Sequence, residues 1–252
     1  MKHPSLKSIS LLRNQIENWD EYPLNISVIK KLDLLKIKSQ VCFFVGENGT
    51  GKSTLLEAIA QNYGFGKEGG SRNISFSTAE KDSNSLSNYL KLSWSPKLIS
   101  GFFFRAESFF NLASYIDELA KDPIDGHKAY LSYGGESLHL KSHGQSLLAL
   151  FNNRFSGEGF YLMDEPEAAL SPQRQLSLLA IINHILQKHP KSQFIIATHS
   201  PILLSFPDAQ IISFDGEEIS EIKYEQSSPY QITKNFLNNT EGFLNKLFGE
   251  GS

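Results

Sequence analysis

Short, wholly apolar runs alternate along this chain with longer stretches whose apolar positions recur at helical spacing, a pattern that predicts strands buried on both faces and helices covering them. Residues 41–45 form the first such run, bounded by polar residues and Gly46, and residues 53–60, beyond a glycine-rich loop, have helical composition. Phe102, Phe103 and Phe104 read as a second buried strand. Residues 108–120 read as a helix with apolar positions Leu112, Tyr115, Ile116 and Leu119, closed by a turn at 122–126. A strand at 159–163 leads into Asp164-Glu165-Pro166. Ser171-Pro172 then opens a helix by capping and by proline at its first position, with a stripe of Leu176, Leu179, Ile182 and Leu186 and with Pro190 just past its end. Residues 194–197 read as a further strand, and 211–214 with 219–224 as a hairpin turning at Asp215-Gly216. Between 67 and 100 the composition shifts to Ser, Asn, Gly and charge, which reads as an insertion or arm with some short strands. The last segment, 225–252, sets Phe236, Leu237, Phe243, Leu244, Leu247 and Phe248 among polar residues, which predicts one or two amphipathic helices packed on the domain. Strands alternating with helices over residues 1–252 indicate one α/β domain with a mainly parallel sheet.

With 252 residues, 40% of them hydrophobic, the chain can bury one sizeable core. Lys plus Arg number 24 and Asp plus Glu 27, a net charge of -3, so DNA is a possible partner that charge does not imply. Lys30, Lys31, Lys36 and Lys38 read as alternate charged positions along an exposed strand rather than as a basic patch. A single cysteine, Cys42, excludes a disulfide framework and fits a reducing compartment. No stretch approaches the roughly 18 consecutive apolar residues of a membrane span. A soluble, cytoplasmic protein is expected, without membrane insertion of its own.

Gly46-Glu47-Asn48-Gly49-Thr50-Gly51-Lys52-Ser53-Thr54 fits the GxxxxGK[ST] phosphate-loop pattern, with a predicted strand before it and a helix after. Glycines let successive amides point into one concavity, and the helix start adds partial positive charge, so a polyphosphate is held without steric interference. In that frame Lys52 reaches the β and γ phosphates, Ser53 ligates Mg²⁺ and Thr54 touches the α phosphate, with Asn48, Gly49 and Gly51 lining the cradle. A nucleotide polyphosphate with Mg²⁺ is the expected ligand, and the loop alone does not separate kinases, GTPases, AAA+ machines and ABC-type ATPases. Asp164 and Glu165, at the end of a buried strand, suit holding the metal through water and polarising an attacking water. Upstream lies Ser142-His143-Gly144-Gln145-Ser146, and downstream Ala197-Thr198-His199-Ser200-Pro201.

In the order and spacing of these motifs the chain resembles the ABC ATPase superfamily. Within it, the chain is similar to small stand-alone ATPases, sometimes described as AAA-type, related to the nucleotide-binding cores of chromosome and repair ATPases. Gly144 precedes Asp164 by 20 positions and Glu165 precedes His199 by 34. The resemblance, which covers roughly residues 20 to 224, implies a P-loop fold of ABC type: a mainly parallel sheet flanked by helices, an antiparallel β portion, and a helical lobe (101–158) bearing the signature motif. It implies that Ser142, Gly144 and Gln145 match a signature that caps the γ phosphate of an ATP held by a second copy, so the homodimer closes through its ATP sites. It further implies that His199 is the switch histidine, that Glu165 and Lys52 are catalytic, and that Glu107 takes the metal-linked role of the family's Q-loop glutamine. The chain departs from the family pattern at Lys141 and His143 in the signature, and at Ser171 where the D-loop usually ends in Asp. Trp19 and Tyr22 are candidates for adenine stacking. The expected function is Mg-dependent ATP hydrolysis that switches a partner, an unidentified protein; the alternative is a nucleotide-gated DNA- or protein-binding module with slow turnover. No Cys-X-X-Cys hook, long heptad tract or nuclease motif accompanies the core.

Overall fold

In the computed structural model, residues 4–72, 85–122, 126–131, 135–140 and 143–249 are described. The strands are β1 (Leu6–Leu11), β2 (Leu34–Lys36), β3 (Val41–Val45), β4 (Leu90–Trp94), β5 (Gly101–Arg105), β6 (Phe160–Asp164), β7 (Gln193–Ala197), β8 (Gln210–Ser213) and β9 (Ser220–Ile222). The helices are α1 (Ser27–Lys30), α2 (Lys52–Tyr63), α3 (Phe109–Leu119), α4 (Gly126–Leu131), α5 (His143–Arg154), α6 (Pro172–Lys188), α7 (Pro201–Leu204), α8 (Ser228–Asn238) and α9 (Thr240–Phe248).

Six strands form the main sheet in the order β5-β6-β7-β3-β8-β9. Neighbours from β5 to β8 are parallel, and β9 closes one edge antiparallel to β8 through Ile211↔Ile222 and Ser213↔Ser220. The apolar runs are buried because helices cover both faces, and their period of two divides the core. On β3, Cys42 and Phe44 join one cluster with α2 and the antiparallel strands, while Val41, Phe43 and Val45 join another with α3, α5, α6 and α7. The second sheet, β2-β1-β4, is antiparallel. It is fastened to the first by Gln193, whose Oε1 accepts from the Leu6 amide at 2.7 Å while its Nε2 donates to the Leu6 carbonyl at 3.2 Å. The fold is thus α/β, with a mainly parallel sheet between helices and an antiparallel β portion, as the sequence implied.

Some expectations are corrected. On α6 the buried positions are Gln175, Leu178, Ile182, Ile185 and Leu186, while Leu176 is half exposed, so the core-facing stripe is turned by about one residue from the expected one. On α3 the buried set is Phe109, Leu112, Ala113 and Ile116, and Leu119 is exposed. The four lysines do not share a strand: Lys30 ends α1, Lys36 ends β2, and Lys31 and Lys38 pair with Glu217 and Glu221 at 2.5 and 2.6 Å. Both C-terminal helices form, but neither has a buried residue. Of the expected turn at 122–126, residues 123–125 lie outside the described residues, as do 73–84 of the expected insertion.

Candidate functional site

The C-terminal ends of the parallel strands converge on the phosphate loop. Strand β3 ends at Val45, and the chain turns through Gly46, Gly49 and Gly51, all at positive φ, before entering α2 at Lys52. At Gly49, with φ of 80°, a Cβ would have no neighbour within 4 Å, so the loop presents an open concavity where a side chain would otherwise stand. Gly46 has the opposite reason to lack one: a Cβ there would lie 3.1 Å from Asp215 Oδ1, and that carboxylate accepts from the Glu47 amide at 2.8 Å. Asp215, from the turn after β8, therefore fixes the loop's entry.

Lys52 is buried and donates to the carbonyls of Gly46 at 2.6 Å and Glu47 at 2.8 Å, which places its ammonium at the loop's centre. Burial lowers its pKa, while the carboxylates of Glu165, Asp164, Asp215 and Glu47 pull the other way. Ser53 donates to Asp164 Oδ1 at 2.8 Å. Asp164 ends β6, and burial pushes its carboxyl up to about 6 even though the Ser53 hydroxyl and Arg105 favour the charged form.

The next residue, Glu165, adopts the left-handed conformation with φ of 50° and ψ of 51°. A non-glycine residue there costs about 1–2 kcal/mol, and the turn is held by the Glu165 amide donating to Ala197 at 2.9 Å and by the Ala168 amide donating to the Glu165 carbonyl at 3.0 Å. Glu165 Oε1 lies 3.7 Å from His199 Nε2, which is buried and has no hydrogen-bond partner among the described residues.

Asn48, Gly49, Gly51, Lys52, Ser53, Thr54, Glu107 and Glu165 all line one cavity of about 920 Å³. Tyr22 lines it as well, its hydroxyl 3.3 Å from Thr54 Oγ1, whereas Trp19 packs on the core with Arg13 4.5 Å over its ring. Of the two aromatic candidates, Tyr22 is the one at the cavity.

Three charged residues of the cavity were not singled out from sequence: Arg105, Glu57 and Lys67. Arg105 Nη1 donates to Glu57 at 2.6 Å, Nη2 lies 3.6 Å from Glu107, and Nε lies 3.6 Å from Asp164 Oδ2. Burial opposes the guanidinium's charge, but Glu57, Asp164 and Glu107 more than compensate and raise its pKa. Glu107 is 82% exposed at its side chain and contacts Arg105, so Arg105 rather than Glu107 stands next to Asp164. Glu57 had a legible signal, since it follows Ser53 by one helical turn on α2 and shares its face. Arg105 had none, because Glu57 and Asp164, the partners that hold it at the cavity, are distant in sequence.

Gly144 and Gln145 lie in the first turn of α5 and are not among the residues lining this cavity. Gly144 is buried where a Cβ would meet Arg174 Nη1 at 2.1 Å and Cδ at 2.9 Å, so Arg174 packs where a side chain would be, while Gln145 is exposed. Ser142 lies outside the described residues. Among the described residues no helix is long and apolar enough to cross a membrane.

Comparison with known proteins bears on this geometry. A family model described as "AAA domain, putative AbiEii toxin, Type IV TA system" matches residues 137–205, well under half of the chain but spanning Gly144, Asp164, Glu165 and His199. None of the curated proteins searched matches. Among solved structures, cbiO1 from Clostridium perfringens, part of the ABC transporter complex cbiONQ, is similar at 14% identity and a TM-score of 0.51, covering 98% of this chain and 99% of that one. The RNase-L Inhibitor is similar at 16% identity and a TM-score of 0.51, covering 94% of this chain; the chain spans only 43% of that protein. The SMC head domain from Thermotoga maritima scores lower, 0.42, at 16% identity over 87% of this chain and 98% of its own. The first two share the fold of this chain.

Proposed function

We propose that this chain binds ATP with Mg²⁺ in the cradle around Lys52, hydrolyses it, and closes on it as a homodimer that switches a protein partner. The observation that carries this reading is the convergence on one cavity of an open glycine cradle, Lys52, Ser53 and Glu165, with Asp164 bonded to Ser53. Phosphate oxygens would take over the contacts Lys52 now makes to two carbonyls. The residues also fit Mg²⁺: a hydroxyl and a carboxylate are hard oxygen donors, and Mg²⁺ is commonly bound by one or two carboxylates with phosphate and water completing its shell. Burial raises the pKa of Asp164, and a cation beside it would favour the charged form. When bound, the ion neutralises charge on the phosphates. Ser53 and Asp164 would hold it, with Glu107 at the rim reaching it only past Arg105.

Glu165, turned into the cavity by its left-handed backbone, would orient the attacking water and take its proton, and His199 would hydrogen-bond the γ phosphate. Gly144 and Gln145 are not among the residues lining the cavity of their own copy, which suits a signature contact supplied by a second copy. Replacing Lys52 by Ala should abolish binding of a labelled ATP analogue. Replacing Glu165 by Gln should preserve binding and reduce phosphate release at least about 100-fold. Normal turnover in the Glu165 variant would refute its role.

A second reading, the nucleotide-gated binding module, is favoured by the C-terminal helices, which leave Ile232, Leu237, Leu247 and Phe248 exposed. Slow turnover that rises with DNA or with a co-purifying protein would favour it over an autonomous hydrolase. A cytoplasmic setting fits either reading.

A further inference from the structure

Glu167 is not part of the phosphate loop, the acid pair or the histidine motif. It lies in the single turn Pro166–Ala169 directly after Glu165, and its Oε1 accepts a hydrogen bond from the backbone amide of His199 at 2.5 Å, across 32 residues of sequence. This bond continues a series. Asp164 pairs with Ala197 at the last register position of β6 and β7, and the Glu165 amide donates to the Ala197 carbonyl at 2.9 Å. Beyond that the two chains leave the sheet, and the Glu167 carboxylate supplies the next link between them. Farther on, Ser200 donates to Gln175 Oε1 at 2.5 Å, and Gln175 Nε2 donates to the Leu170 carbonyl at 3.1 Å.

From this geometry we infer that Glu167 is a positioning residue that sets the distance between Glu165 and His199 by clamping the amide of His199 to the turn that carries Glu165. The inference rests on the roles proposed above for those two residues, and it assigns Glu167 no contact with nucleotide. A carboxylate suits the task because a charge-assisted bond to an amide is shorter and stronger than a neutral one. The side chain is half-buried, with its Oε2 shielded from solvent. Burial raises its pKa, and the His199 amide opposes that rise. The contact between Glu165 Oε1 and His199 Nε2 is 3.7 Å, and displacements of about 1 Å in such a constellation lower turnover by about 100-fold.

The test uses the full chain labelled with ¹⁵N and two variants. In the wild-type protein the His199 amide proton should resonate well downfield and exchange slowly; Glu167→Ala should lose both signatures, and Glu167→Gln, which keeps an acceptor in place, should retain slow exchange. In parallel, Glu167→Ala should lower kcat about 10- to 100-fold while the Kd for a labelled ATP analogue changes less than about 3-fold, and Glu167→Gln should recover most of the loss. A full kcat in Glu167→Ala, or a His199 amide indifferent to both variants, overturns the inference. If Glu167→Ala does not fold, the same amide and kcat readings on Glu167→Gln decide, and a drop as deep as that of a Glu165 variant overturns it. Absence of turnover in the wild-type chain would defeat the proposed hydrolysis itself, and the inference with it. That outcome stays distinguishable, because the amide signature would still report the clamp.

Discussion

At the scale of single residues, the site is governed by one buried acid. Asp164 is 5% exposed, and its carboxyl titrates near 6 in the folded chain, against 3.8 when unperturbed. Between those values the folded state holds a proton that the unfolded chain has released, so the metal-free protein loses stability as pH rises through that window. The full effect is at most about 3 kcal/mol, reduced by whatever solvent and Arg105 relieve. Urea unfolding of the metal-free chain between pH 4 and 7 should therefore show a falling contribution that Asp164→Asn removes; an identical pH slope in the two proteins would contradict the assignment. Lys52, Ser53, Asp164, Glu165 and His199 could be picked out as candidates because they sit in short motifs. Arg105 and Glu167 could not, since Glu57 and the His199 amide, to which they bond, lie 48 and 32 residues away and become neighbours only when the strands line up. Glu107 illustrates the limit: its sequence position suggested the metal, and the structure sets Arg105 between it and Asp164.

At the scale of elements, the buried strands were readable because a continuous apolar run bounded by turn residues leaves few alternatives. The phase of α6 was not. Gln175 is buried because its amide is satisfied by the Leu170 carbonyl and the Ser200 hydroxyl, so a polar residue occupies the core stripe and the leucine beside it faces outward. Gln193 does similar work between the sheets, donating to and accepting from Leu6 in a buried setting. Replacing it with Leu leaves the Leu6 amide and carbonyl without those partners, which should cost about 1–3 kcal/mol and show as a lower midpoint in chemical unfolding. A midpoint unchanged from wild type would mean that apolar packing alone joins the sheets.

At the scale of the whole molecule, the fold sets the phosphate cradle at the strand ends and leaves Gly144 and Gln145 elsewhere than in that cavity. A shared site follows only if a second copy brings its α5 to the cradle. The switch would then consist in ATP favouring the closed pair and its hydrolysis releasing it, a difference in affinity between two states. The exposed apolar side chains of α8 and α9 remain outside this core, where a partner could read the change. The most direct test is the mass in solution of the Glu165→Gln chain, by light scattering, with ATP and Mg²⁺, with ADP and Mg²⁺, and with neither. The account predicts twice the chain mass of 28.3 kDa with ATP alone and a single chain otherwise; a mass that stays at one chain with ATP, or that does not distinguish ATP from ADP, would contradict it.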